Sequence, residues 1–291
     1  MTDVDTIRAL PCWQGLIEVE PLGGGLSNRN FLVRDGGRQF VARMGMDMPF
    51  HHVFRAREAA VSQAAAVAGI SPKLVHVLPG TMIFDYIGGQ VLTPEDVRHH
   101  ATAIARLLWE AHHRIGQHLR GPASYFCVFH VIRDYAARLT EADVAPSSLN
   151  HWLEVASKAQ QLQPPLHLVI GHNDLLPANI LRDPEGRLWL IDWEYGGYAS
   201  PLFDLANLAG NAGFSDDEER QLLEVYFGTS PDADLLAALR AMKLASLLRE
   251  TLWGMVSALC MPDNGVDYAA YTRQTRAAFE TVLDAFEGRA A

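Results

Sequence analysis

Asp174, Asn179 five residues later and Asp192 at the end of the next apolar run are the residues whose types and order most plainly allow chemistry. A carboxylate in a loop can orient a hydroxyl, and an amide and a carboxylate on neighbouring strand ends can hold a hard divalent cation through oxygen. These are parts that phosphoryl transfer requires. An Asp-x-x-x-x-Asn pair by itself recurs by chance in many loops. Here it lies within LVIGHNDLLPANILRDPEGRLWLIDWEYGG, residues 168–197, where His172, Asn173, Pro177, Trp193 and Glu194 complete an ordered set.

The elements needed to position this island follow from hydrophobic pattern and punctuation. Within it, 179–182 and 188–191 read as short strands around a Pro-Glu-Gly turn. Upstream, 17–22, 30–35 and 37–45 read as strands, the alanine-rich 53–68 as a helix, and 73–78 with 81–87 as a hairpin around Pro79-Gly80. Beyond Gly88-Gly89 the pattern turns helical. One long helix is expected over 94–118, with Thr93 as N-cap and Pro94 at its first position. Others are expected at about 130–140, 147–162, 201–211, 215–227, 231–260 and 267–287. Strands first, then helices around one embedded hairpin, predict an α+β chain with two lobes, 1–87 and 88–291, hinged at the glycine pair.

His172-Asn173-Asp174, Pro177, Asn179 and Ile191-Asp192-Trp193-Glu194 resemble the catalytic segment of the aminoglycoside phosphotransferase and choline kinase superfamily, relatives of the protein kinases. HND in the catalytic loop, and DWE where protein kinases carry DFG, is most similar to choline and ethanolamine kinases. The resemblance runs from about residue 22 to about residue 279. It implies a protein-kinase-like fold, with a small β-rich N-lobe and a larger helical C-lobe, and in-line transfer from Mg²⁺·ATP. In that scheme Asp174 orients the acceptor hydroxyl while Asn179 and Asp192 hold Mg²⁺. His172 anchors the catalytic loop.

The same resemblance assigns further parts of the nucleotide site. Gly24, Gly25, Ser27 and Asn28, in GGGLSNRNF, are similar to the phosphate-cradling loop of choline kinases. Val41-Ala42-Arg43 puts arginine where protein kinases place lysine, and its planar fork can bind phosphate and carboxylate together. Glu58, within the expected helix, is its implied partner. Backbone groups of about Asp85 to Ile87 would bind adenine.

The implied acceptor is choline or a similar amino alcohol such as ethanolamine, held by cation–π contact. Trp253 and Tyr195 match cage positions, with Tyr268 and Tyr271 as looser candidates. Glu194 could add negative potential beside the acceptor. Asp204 is expected to order the catalytic segment, with contact to the substrate cation as a second possible role. Alternatives on the same fold are an aminoglycoside or thiamine phosphotransferase; a non-catalytic nucleotide-binding module is the rival of a different class.

Composition bounds these readings. Apolar residues make up 49% of 291, enough for a sizeable core. A net charge of −10 argues against nucleic acid as the main partner and permits, without requiring, a cationic one. Cys12, Cys127 and Cys260 are distant and odd in number, so no disulfide framework follows and a reducing, cytoplasmic setting is expected. No apolar run is long enough for a membrane span, and the N-terminus lacks the pattern of a secretory signal. A monomer or homodimer is expected. The doublets His51-His52, His99-His100 and His112-His113 point about 100° apart on a helix and make poor chelators, so surface or partly buried imidazoles are expected. The acidic run from Asp216 to Glu219 is expected to be a helical first turn capped by Ser215.

Overall fold

A computed structural model describes residues 2–23, 27–262 and 264–290. In chain order the elements are α1 (Asp3–Arg8), β1 (Glu18–Leu22), β2 (Arg29–Asp35), β3 (Arg38–Met44), α2 (Arg55–Val67), β4 (Leu74–Leu78), β5 (Thr81–Asp85), β6 (Gln90–Val91), α3 (Pro94–His99), α4 (Ala101–His118), α5 (Val128–Glu141) and α6 (Leu149–Gln161). Then follow β7 (Val169–Gly171), β8 (Ile180–Arg182), β9 (Leu188–Leu190), β10 (Gly197–Ala199), α7 (Pro201–Ala212), α8 (Asp216–Phe227), α9 (Ala233–Cys260) and α10 (Tyr268–Ala290).

Five antiparallel strands form one sheet in the order β1-β2-β3-β5-β4, with Arg43 opposite Asn30 and Met82 in the register. Its buried residues Phe31, Val33, Phe40, Ala42 and Ile83 pack with Ile7 and Leu10, so the unforeseen α1 closes one end of this small core. Helix α2 takes a different side. Its small residues Ala64 and Ala65, with Val61, belong to the large core shared with the helices that follow. Alanine gives α2 high helix propensity and lets neighbours approach closely.

The mixed α+β plan is as expected, with a sheet-rich first part followed by helices. The expected helix over 94–118 is instead two helices, broken at His100. A Thr93–Asp96 capping box starts α3, which runs along α7 and sends Arg98 Nη1 to the Ala212 carbonyl at 2.6 Å. Helix α4 packs on α2, α8 and β7 instead, so different partners pull the two segments apart. Strand β6, too short to carry a pattern, pairs with β8, and β9 completes that three-stranded sheet beside the catalytic loop. Gly89 passes so near the Arg182 carbonyl that an added Cβ would lie 2.3 Å from its oxygen, which only glycine permits. No helix among the described residues is long and apolar enough to cross a membrane.

The acidic run opens α8, with Ser215 and Glu218 forming a reciprocal cap. Glu219 at its end is fully buried and paired with Lys243 and, at 3.2 Å, Arg240. Two of the histidines depart from expectation. His51 and His112 are buried, because each bridges hydroxyl or carboxylate partners inside the core.

Candidate active site

The site is assembled from two buried clusters of charge on either side of the catalytic loop. On the sheet side, Arg43 is central. Its Nη2 binds the Asp192 carboxylate and lies 3.3 Å from Glu194, and its Nε faces Glu58 at 3.2 Å. Burial alone would lower the Arg43 pKa, but Asp192, Glu58 and Glu194 together lift it above its ordinary value, so the guanidinium stays charged. Glu58 is the implied partner, although a second arginine shares it. Arg55 Nη1 reaches Glu58 at 2.6 Å and Glu194 at 3.2 Å, while its Nε donates to the Met46 carbonyl at 2.9 Å. Burial raises the Glu58 carboxyl and both arginines pull it down, the net shift being upward. A side chain at Gly45 would collide with Asn28 and crowd Arg55, so glycine there lets the loop strand and α2 meet.

Ser27 and Asn28 donate to Glu194, the hydroxyl at 3.1 Å and the amide at 2.9 Å. These are the donors expected to face phosphate. Gly24 and Gly25 lie outside the described residues. At the hinge, the Asp85 and Tyr86 amides are spent on the Lys73 and Gln39 carbonyls at 2.9 and 3.1 Å, so the Ile87 amide is the donor left in that strip to meet a base.

The catalytic loop is held from below. Asp204, 1% exposed, accepts from the His172 and Asn173 amides, both at 2.7 Å, and from His112 Nε2 at 2.9 Å. His112 Nδ1 in turn meets the Tyr226 hydroxyl at 2.6 Å. Burial works against the Asp204 charge, yet these donors keep its pKa below the ordinary value. Both oxygens accept from the loop and the side chain is buried, which is the ordering role expected for Asp204. Asn173 takes a left-handed φ of 63°, tolerable for asparagine, and its side-chain amide donates to the Tyr195 carbonyl at 3.0 Å. His172 Nε2 meets the Ile191 carbonyl at 2.8 Å and packs on Trp193, which makes it an anchor. Asn179 Nδ2 donates to the Asp174 carbonyl at 2.8 Å, and the Ile191 amide donates to the Asn179 carbonyl at 3.0 Å, which ties the two strand ends together.

On the helical side, Asp174 faces Arg249. Arg249 Nη1 lies 3.1 Å from Asp174 Oδ1 and also binds Glu250, and the guanidinium stands over the Tyr195 ring, 4.3 Å from its centroid. Burial pushes the Asp174 carboxyl up to about 8 even though Arg249 draws it down. Trp253, one turn beyond Arg249, donates from Nε1 to the Tyr195 hydroxyl at 3.0 Å. It stacks on His51, with centroids 5.0 Å apart, and meets Tyr271 and Tyr268 edge-on at 5.3 and 6.0 Å. Burial lowers the His51 pKa to about 3, so its ring is neutral between Tyr135 at 3.0 Å and Ser257 at 2.8 Å.

Trp253, Tyr195, Tyr268 and Tyr271 are therefore together, around a glutamate and an arginine that sequence reasoning passed over. Glu194, expected beside the acceptor, lies on the Arg43 side. Arg55, Arg249, Glu250 and His112 were missed; a charged Arg-Glu doublet, alone in the otherwise uncharged stretch 244–260, was the available signal for two of them. No grouping of three or more His, Cys, Asp or Glu suited to a metal occurs among the described residues. A magnesium site resting on Asn179, Asp192 and phosphate oxygens would not need one. Among the described residues, Asn179 has its amide nitrogen committed and no partner for its oxygen, and Asp192 has one oxygen on Arg43 and no partner for the other. This hard oxygen pair fits Mg²⁺, which keeps several waters and takes one or two protein ligands.

The sheet, the anchored loop and the two charge clusters define a kinase-like phosphotransferase acting on small molecules. The chain belongs to the choline/ethanolamine kinase family, whose model, described as Choline/ethanolamine kinase, matches residues 19–280. It is 26% identical over 282 residues to a probable ethanolamine kinase of Arabidopsis thaliana, covering 85% of this chain and 75% of that one. The crystal structure of a choline/ethanolamine kinase family protein from Mesorhizobium loti superposes with a TM-score of 0.76 at 29% identity, covering 98% of this chain and 96% of that one. Choline kinase LicA from Streptococcus pneumoniae shares the fold, with a TM-score of 0.73 at 23% identity and coverage of 91% and 93%. The chain is accordingly a phosphotransferase that uses ATP and an alcohol acceptor.

Proposed function

We propose that this chain transfers the γ-phosphoryl group of Mg²⁺·ATP to the hydroxyl of a small amino alcohol of the choline and ethanolamine type, bound beside Asp174. One observation carries the reading. Asp174, Asn179 and Asp192 are joined through the Asp174 and Asn179 carbonyls into a single unit, with Arg43 on one side and an aromatic, acidic wall on the other. Asp174 takes the hydroxyl proton as the phosphoryl group departs from ADP. Arg43, held by Glu58, positions the phosphates. Asn179 and Asp192 would hold Mg²⁺, which when bound neutralises charge on the transferring group. The amino group is balanced by the surplus of carboxylates around Asp174.

The test is ADP release with Mg²⁺·ATP across ethanolamine, choline, thiamine, sugar and aminoglycoside acceptors. Turnover should be strongest with an amino alcohol. Efficient turnover confined to an aminoglycoside would replace the acceptor, and nucleotide binding without turnover on any alcohol would remove the enzymatic reading.

A further inference from the structure

The acceptor side of the loop already contains a cation. Arg249 is 1% exposed, and its guanidinium covers the Tyr195 ring at 4.3 Å, with the Phe126 ring at 5.9 Å. That aromatic face is where a quaternary ammonium would stack. Arg249 is fixed there by Asp174 and Glu250, and Glu250 is fixed in turn by the Tyr271 hydroxyl at 2.8 Å. Displacing it would leave buried carboxylates uncompensated. Once Asp174 is ionised, as the reaction requires, the local count is two carboxylates against one guanidinium, which leaves room for one further positive charge. The groups left to receive that charge are carboxylate and phenol oxygens. Oxygens recognise N–H donors, whereas a fully methylated nitrogen offers none. Arg249 Nε and Nη2 are buried and have no hydrogen-bond partner among the described residues, so the guanidinium also has donors for an incoming oxygen.

We propose that Arg249 is a specificity-determining residue that selects acceptors with a hydrogen-bonding ammonium over those with a quaternary one. The guanidinium takes the stacking face, holds the Asp174 carboxylate in place, and gives its free N–H groups to the acceptor hydroxyl oxygen. The ammonium then hydrogen-bonds to Glu250 and Asp174. This rests on the reading above, in which an alcohol is phosphorylated beside Asp174.

A methylation series tests it: kcat/KM for ethanolamine, N-methylethanolamine, N,N-dimethylethanolamine and choline, on the full chain with Mg²⁺·ATP. The value should fall stepwise as N–H groups are lost, by at least tenfold over the series. In Arg249→Met the series should flatten or reverse, with kcat reduced because Asp174 loses its orienting partner. Arg249→Lys keeps the charge and is the control should the methionine variant fail to fold; it should restore part of kcat while still narrowing the tenfold difference, because an ammonium covers less of Tyr195. Nucleotide affinity should be unchanged in both. Choline preferred by the wild type, or an unaltered series in a folded variant at position 249, overturns the role of Arg249 and leaves alcohol phosphorylation standing. No turnover on any member, with ATP still bound, overturns both.

Discussion

The two charge clusters flanking the catalytic loop look alike and behave differently. Each buries arginine between carboxylates. On the sheet side, Arg43 and Arg55 are shared among Glu58, Asp192 and Glu194, five groups on three segments meeting at one point. On the helical side a single Arg249 bridges Asp174 and Glu250, with rings for neighbours instead of further cations. Both clusters hold one carboxylate more than they have arginines, three against two and two against one. They differ in redundancy: Glu58 and Glu194 each meet both arginines of the first, whereas one guanidinium serves both carboxylates of the second. In the function proposed above, the first side grips the phosphates and the second reacts.

Removing the reacting group should separate the sides most sharply. Asp174→Asn should lower kcat by about 10²–10⁴ while circular dichroism and nucleotide affinity stay as in the wild type; retained transfer would sink the division of labour. Breaking the grip comes next. Arg55→Met takes one of two arginines from Glu58 and Glu194, which keep Arg43, and should lower the melting temperature, with KM for ATP rising more than KM for the acceptor.

A pH profile probes the helical side alone. Because burial pushes the Asp174 carboxyl up to about 8, against Arg249 and with Glu250, Glu194 and Asp192 reinforcing it, the reactive carboxylate is lost as pH falls below that value. The kcat/KM for the acceptor should therefore drop about tenfold per unit on the acid side. A profile flat from pH 6 to 9 would assign the proton elsewhere. The smallest effect is expected for Trp253→Phe, which keeps an aromatic ring in place but removes the bond to the Tyr195 hydroxyl, worth about 1 kcal/mol. It should raise the acceptor KM several-fold and leave the ATP KM alone; equal changes in both would make Trp253 merely core.

The sheet side was largely legible in the sequence because its chemistry is written in contiguous patterns. The HND and DWE segments, Val41-Ala42-Arg43 and Glu58 each sit on an element that periodicity identifies. Arg55 was readable in principle, three residues before Glu58 on the same helical face. The helical side was not legible in the same way, since Asp174 and Arg249 are 75 positions apart and only the packing of α9 and α10 brings Tyr271 to Glu250. Glu194 shows the limit of neighbourhood reasoning. Two residues from Asp192, it was assigned to the acceptor, but two arginines and the Ser27-Asn28 turn draw it toward the nucleotide side. Strands β6 and β7, two and three residues long, lack the turn that marked β8 and β9 and carry too little pattern to be seen.

Helix α10 gives these clusters a place in time. Tyr271 closes the wall behind Glu250, and Tyr268 backs Trp253, yet both emerge from the ribosome after every other part of the site. The charged groups of the nucleotide half all come from segments before residue 195, and Arg249 and Glu250 precede their covering helix in synthesis. A cut between α9 and α10 would therefore strip the wall from Glu250 and Trp253 while leaving every charged group of both clusters in the longer fragment.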